Sequence, residues 1–470
     1  MWDKIASVDQ TVNDVVWGIP ALAMILGAGL ILTLALRGMQ FRKFGHVMRN
    51  TAGRVFSKAE AKNGEITPLQ AVSTALAGTV GTGNIAGVTA AVTLGGAGAI
   101  FWMWISALIG MATKYAEVVL AIRFRERNEN GEWVGGPMYY IKNGLGKRWK
   151  WLGSLFCLFG SLAAFGIGNA VQAGTIVDSV NHALQAFFPA AAAKEESLNW
   201  ILGILLALIV AGVLFGGVKR IGSVASNLVP VMAFLYIGAC VAVIAAHVDQ
   251  LGRVFAEIFR GAFTPAGVTG GALGISMKTC AVWGIRRGVF SNEAGLGSAP
   301  IAHAASSETN PVRQGFYGIF EVFIDTIVIC TLSGLTILLA LDRAELHYGV
   351  QGTIALNAKA LGTVFGDRMA ALIIAAALAL IALTSILGWG LYGCRCWEFL
   401  FGAKAVRFYQ MVFIVVIVVG ATTKLELVWS IADTFNGLMM LPNLLSVMLL
   451  SPVVIQLTEA YFARERLPRS

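Results

Sequence analysis

The stretch Ala77-Gly78-Thr79-Val80-Gly81-Thr82-Gly83-Asn84 sets glycines, β-branched residues and an amide in the middle of the apolar run 68–94. A continuous helix is not expected there. In hydrocarbon an unwound backbone has to be buried in protein or line a cavity, because each unpaired N–H or C=O costs several kcal/mol. Opened amides suit a carboxylate, and opened carbonyls suit a small cation. Close helix packing through small residues also explains glycines, but Asn84 adds a polar group that packing does not require.

A second interruption follows Ile275-Ser276-Met277-Lys278-Thr279-Cys280-Ala281-Val282-Trp283. It runs through Gly284-Ile285-Arg286-Arg287-Gly288 to Ser291-Asn292-Glu293-Ala294-Gly295-Leu296-Gly297. Two arginines and a glutamate near membrane depth are costly unless they face water, pair, or end the helix at an interface. An intracellular turn at Arg286 and Arg287 is the competing reading. Gln172 lies in the small-residue stretch 166–173, and Thr384, Ser385 and Trp389 lie in 381–389. Adjacent hydroxyls beside a carbonyl-rich break complete an oxygen cage for sodium, and Trp389, one turn beyond Ser385, walls a pocket. Taken singly, such hydroxyls more often bond their own i−4 carbonyl.

The elements that carry these residues follow from composition. Of 470 residues only 13% are charged and 57% are apolar, with 54 glycines and a mean hydropathy of +0.73. Soluble chains carry about 25% charge. The chain is therefore read as an all-α polytopic membrane protein in a lipid bilayer, which excludes disorder, a nucleic-acid module and a secreted disulfide scaffold. The six cysteines lack CxxC pairing and read as small packing hydrophobes.

At about 20 apolar residues per span, eleven spans are predicted, at 15–36, 68–94, 97–122, 152–180, 198–215, 222–247, 271–300, 313–341, 369–394, 406–421 and 428–457. The N-terminus lacks a basic n-region and a cleavage site, so the first span is expected to be retained. Arg37, Arg42, Lys43, Arg49, Arg54, Lys58 and Lys62 after the first span, and the basic cluster in 123–150, place those segments in the cytoplasm. Alternation then puts 23 of the 35 basic residues inside, including Arg464, Arg466 and Arg469. The N-terminus is expected outside and the C-terminus inside, with 458–470 a cytoplasmic tail. Five spans counted from the second end at the sixth, so the two interruptions fall at corresponding positions of two halves, 68–247 and 271–457. That is the pattern of a secondary transporter with inverted repeats.

Gly95-Gly96-Ala97-Gly98-Ala99-Ile100-Phe101-Trp102-Met103-Trp104-Ile105-Ser106-Ala107-Leu108-Ile109-Gly110-Met111-Ala112-Thr113 resembles the signature of the alanine or glycine:cation symporter family. The resemblance extends to the Gly78–Asn84 break, to Gly135-Gly136-Pro137-Met138-Tyr139-Tyr140, and to 291–300, and so covers nearly the whole chain. It implies the leucine-transporter-type fold of the amino acid–polyamine–organocation superfamily: a 5+5 inverted repeat in spans two to eleven, with 15–36 added. It further implies that the amides of Thr82 and Gly83 hold the substrate carboxylate. The Thr79 carbonyl and Asn84 side chain would join one sodium, and the Val80 carbonyl with Thr384 and Ser385 a second. Gln172 and Trp389 would surround the amino acid, and Trp283 and Gly284 are pocket candidates. Sodium is then co-transported with alanine or glycine across the cell membrane of a bacterium or archaeon, by a protein functional as a monomer.

Other readings stay open at this level. A pocket separates one methylene by only about 1–3 kcal/mol, so glutamine or serine remain possible substrates. Proton coupling would need a titratable group such as Asp325, Glu321, Lys114, Glu117 or Lys278. An intramembrane enzyme is disfavoured by the absence of HExxH and GxSxG patterns, and a passive channel by the paired breaks.

Overall fold

The computed structural model describes residues 2–54, 66–263, 276–342, 344–423 and 426–465. Lys58, Lys62, Arg466, Arg469 and the start of the seventh expected span, 271–275, lie outside the described residues. Within them the regular elements are helices, apart from one short hairpin pairing Glu126–Arg127 with Trp133–Val134 and an isolated bridge between Ile66 and Ser306. Eight helices are long and apolar enough to cross a bilayer, or ten spans with two bent pairs counted as one each. The expected span 271–300 is the one that fails this measure. Its described part is Met277–Asn292 followed by the short helix Ala299–His303, with Lys278, Arg286 and Arg287 lowering its hydropathy.

Local signals set the ends as the sequence indicates. Thr67 accepts from the Gln70 amide at 3.1 Å while the Gln70 side chain accepts from the Thr67 amide at 2.9 Å, a reciprocal capping box ahead of Pro68. Ser276 caps Met277–Asn292 through the Thr279 amide at 3.0 Å.

Elsewhere the bounds move. The first span is preceded by a helix of its own, Trp2–Val16, before Ile19–Ala35. Asn13 on it donates to Asp433 and Thr434, each at 3.1 Å, which docks this helix against Glu426–Leu438. The eleventh span bends by 55° ahead of Ser451–Glu465, with Pro452 in the first turn of the new helix. The segment read as a tail from 458 therefore begins inside a packed helix, where Tyr115 and Thr458 share a hydrogen bond of 2.7 Å. Two helices too short to span, Leu251–Phe263 and Ile354–Phe365, were not expected.

Two packing centres position the site. Asp367–Phe401 runs against Val171–Phe187, Lys150–Phe165, Gly217–Ala246 and Pro68–Thr79. Ala99–Phe124 runs against Pro311–Val322, Met277–Asn292 and Ile19–Ala35. Large apolar side chains face outward, Phe234 being 82% exposed and Leu208 66%, as lipid-facing surface requires. Gly388 lets two backbones meet: a Cβ there would stand 2.9 Å from the Gly78 nitrogen. Gly388→Ala is expected to destabilise the protein by about 1–3 kcal/mol, read as a lower thermal midpoint in detergent. Gly27→Ala, where a Cβ meets nothing within 4 Å, should leave it unchanged.

Candidate functional site

The helix that starts at Pro68 stops at Thr79 and resumes as Ala86–Gly95, with a bend of 61° across the break. Val80 and Gly81 are extended, and Thr82–Asn84 form a single tight turn. Asn84 organises it. Its Oδ1 accepts from the Gly81 amide at 2.9 Å, while its own amide donates to the Gly81 carbonyl at 3.2 Å. The Ile85 amide donates to the Thr82 carbonyl at 3.2 Å. The amides of Thr82 and Gly83 enter none of these bonds, and both residues are partly exposed while Val80 and Asn84 are buried. The last carbonyls before the break, Thr79 among them, have no helical donor following them.

Asp367–Phe401 meets this break from one side. Ser385 Oγ lies 3.4 Å from the Val80 carbonyl and 3.1 Å from its own Ile381 carbonyl. Thr384, one residue around the helix, turns instead to the Ile381 carbonyl at 2.8 Å and Met232 Sδ at 3.4 Å. The Gln172 amide reaches Thr82 Oγ1 at 3.5 Å and the Ile167 carbonyl at 3.1 Å, and its Oε1 is buried without a partner. A widened π-helical turn at Gly166–Ala170 just precedes it. Trp389 is buried against that turn: a Cβ on Gly168 would lie 2.2 Å from the Trp389 Cβ.

From the other side comes a carboxylate. Asp325 sits in a second π-helical stretch, Phe323–Cys330, and is fully buried. It accepts from Asn84 Nδ2 at 2.6 Å, Ser291 Oγ at 2.8 Å and Thr326 Oγ1 at 2.7 Å. Among the described residues it has no ion-pair partner. The sequence marks Asp325 only as an isolated acid within a span and Ser291 only as part of an interruption; their meeting at Asn84 joins residues 241 positions apart, which no local pattern carries.

The second break lies further along than the glycines suggest. The helix continues through Gly284–Gly288 and opens only at Glu293, whose φ is 54°. Gly284 and Gly288 are contact points with Ala99–Phe124: added Cβ atoms would meet the Ala99 carbonyl at 2.4 Å and Ser106 Oγ at 2.2 Å. Gly284 is thus at a helix crossing, and Trp283 lies on the same helix beneath Arg286 and Arg287, 5.7 and 5.4 Å from its ring centroid. Two turns beyond Trp283, Phe290 meets the Val80–Asn84 break, 3.3 Å from a Cβ placed on Gly83. Arg286 is not a free turn residue, as it pairs with Asp433 at 3.7 Å.

The second break also differs chemically from the first, because side chains satisfy it. Gly295 donates to Glu117 at 3.1 Å, and Asn443 bridges Glu117 and the Gly295 carbonyl at 2.8 Å. The first break keeps its Thr82 and Gly83 amides out of such bonds, and partly exposed.

The model of the sodium:alanine symporter family matches residues 2–469. The chain is 43% identical over 97% of both chains to a Methanococcus maripaludis protein named sodium/alanine symporter AgcS. It is 37% identical to a Bacillus subtilis protein named "Probable sodium/glutamine symporter GlnT", over 97% of this chain and 90% of the other. Among solved structures, MhsT in complex with L-phenylalanine superposes with a TM-score of 0.59 at 14% identity, covering 85% of this chain and 99% of that one. That likeness establishes the leucine-transporter-type fold.

Proposed function

The chain belongs to the sodium:alanine symporter family, and on that premise we propose that it carries a small neutral amino acid, alanine or glycine, into the cell with sodium by alternating access. Cation-coupled amino-acid symport is the family's activity; substrate, ion sites and direction are the reading advanced here. The observation that carries it is the Val80–Asn84 break, where the Thr82 and Gly83 amides stay out of the turn's hydrogen bonds and Asn84 touches the buried carboxylate of Asp325, which has no ion-pair partner among the described residues. Thr82 and Gly83 take the substrate carboxylate, and the Gln172 Oε1 is an acceptor for its ammonium. One sodium lies beside Asn84, with the Thr79 carbonyl, Asp325 and Ser291 as oxygen donors. A second lies between the Val80 carbonyl and Ser385, with Thr384 joining once its hydroxyl leaves Ile381.

The mechanism follows from charge. Sodium at Asp325 neutralises the buried carboxylate and so removes the negative charge that would repel the incoming substrate carboxylate; each ligand therefore raises the other's affinity by the same factor. Inward movement of each net charge is aided by about 2.3 kcal/mol per 100 mV of membrane potential. Phe290 against Gly83 and Trp389 against Gly168 limit the space around the substrate, which favours a methyl or hydrogen side chain. The two repeats, 68–247 and 271–457, rock about this site, with the N-terminus outside, the C-terminus in the cytoplasm, and one chain sufficing.

Reconstituted vesicles test the proposal: an inward sodium gradient should drive accumulation of alanine, and replacing sodium with potassium should remove it. Uptake indifferent to that replacement overturns sodium coupling, and accumulation of glutamine in preference to alanine overturns the substrate. Gln172→Ala is expected to weaken alanine binding by about 10- to 100-fold, the worth of a hydrogen bond to a charged group, measured as a rise in KM. Ser385→Ala should raise the sodium half-saturation instead.

A further inference from the structure

The first span lies outside the ten-helix arrangement, and where it ends there is a cavity that transport does not use. About 270 Å³ in volume, it lies between the end of Ile19–Ala35 and the helix Ser451–Glu465, lined among others by Arg37, Arg42, Lys43, Ile455, Glu459 and Phe462. Its cations are positioned. Arg37 and Gly38 are both left-handed, at φ 54° and 63°, and turn the chain sharply there. Arg42 Nη1 donates to the Arg37 carbonyl at 3.1 Å, and the Lys43 ammonium stands 5.3 Å from the centroid of the Phe462 ring. Among the described residues none of the three forms an ion pair, and Glu459 is the one acid in the lining, so three cations face a single carboxylate. Directly along the same helix Leu30, Ile31 and Leu34 are 49%, 53% and 69% exposed.

A free anion would find the charge but have no use for the apolar strip, whereas a phospholipid uses both. We propose that this cavity binds the headgroup phosphate of an anionic phospholipid, whose acyl chains lie along Leu30, Ile31 and Leu34. The basic residues are drawn to the phosphate at the end of the hydrophobic span, as cationic pockets between membrane helices are. Bound there, the lipid ties the additional first helix to the last helix of the core.

Titrating the purified full chain in neutral detergent with phosphatidylglycerol, phosphatidylcholine or inorganic phosphate, with bound lipid counted by native mass spectrometry, tests this. Phosphatidylglycerol should bind saturably and raise the thermal midpoint; the other two should not. The pair Arg42→Gln and Lys43→Gln should weaken phosphatidylglycerol binding by about tenfold or more, while Arg148→Gln, outside the lining, should not. Glu459→Gln, which removes the opposing charge, should tighten it and serves if the double variant does not fold. Equal binding of both lipids, saturation by inorganic phosphate alone, or unchanged binding in Glu459→Gln together with the double variant overturns the proposal.

Discussion

Asp325→Asn is expected to abolish sodium-driven uptake at ordinary sodium concentrations, raising the sodium half-saturation by about 10- to 100-fold. The side chain is fully buried and accepts from Asn84, Ser291 and Thr326 at 2.6–2.8 Å, but these neutral donors do not cancel its charge. An uncompensated buried charge costs several kcal/mol, which a bound cation offsets. Asparagine keeps the volume, removes the charge and turns a donor toward groups that already donate. By reciprocity the factor by which sodium still raises the alanine affinity in the variant equals the factor by which alanine raises the sodium affinity. Uptake of labelled alanine into vesicles, with sodium varied against potassium, reads both. An unchanged half-saturation would remove Asp325 from the ion site. Accumulation by the wild type on a pH gradient alone, lost in Asp325→Asn, would instead make it a proton carrier.

The second large effect is on folding. Lys114 and Glu321 are both wholly buried and 3.3 Å apart, and His303 completes the cluster at 3.1 Å from the other Glu321 oxygen. Gln314 holds His303 Nδ1 at 2.8 Å, and Ser306 donates to Gln314 Oε1 at 3.0 Å. The chain of contacts joins Ala99–Phe124, Pro311–Val322 and the short helix Ala299–His303 beyond the second break. Glu321→Ala removes the carboxylate paired with the buried Lys114 ammonium, leaving only the more distant Glu117 and Glu293 to act on it, and should cost about 3–5 kcal/mol, seen as a collapsed yield and thermal midpoint in detergent. Adding Lys114→Met to that variant removes the ammonium charge and should recover a large part of the loss, a coupling that a double-mutant cycle measures. Additive losses from the two substitutions would show that the pair does not act as a unit.

Much of the architecture was legible without coordinates, since hydrocarbon admits few solutions. The long apolar runs become helices because every backbone group must be paired within its own segment, and the Thr67-Pro68-Leu69-Gln70 cap and the Gly78–Asn84 break are local signals that act where they stand. Family membership was legible too, because the 95–113 signature is contiguous. Glycines were ambiguous: Gly81 and Gly83 lie where a helix opens, whereas Gly284 and Gly288 permit close packing of an intact one, and only the partner helix distinguishes the two. The bend at Pro452 and the docking of Trp2–Val16 likewise depend on what lies across the interface. Above all, Asp325 and Ser291 become part of the site only when the eighth span and the second broken helix converge on Asn84. Hydropathy and spacing determined that this chain crosses the membrane and where its first broken helix opens; tertiary packing alone decided which distant oxygens face that opening, because buried charge is balanced through space and not along the chain.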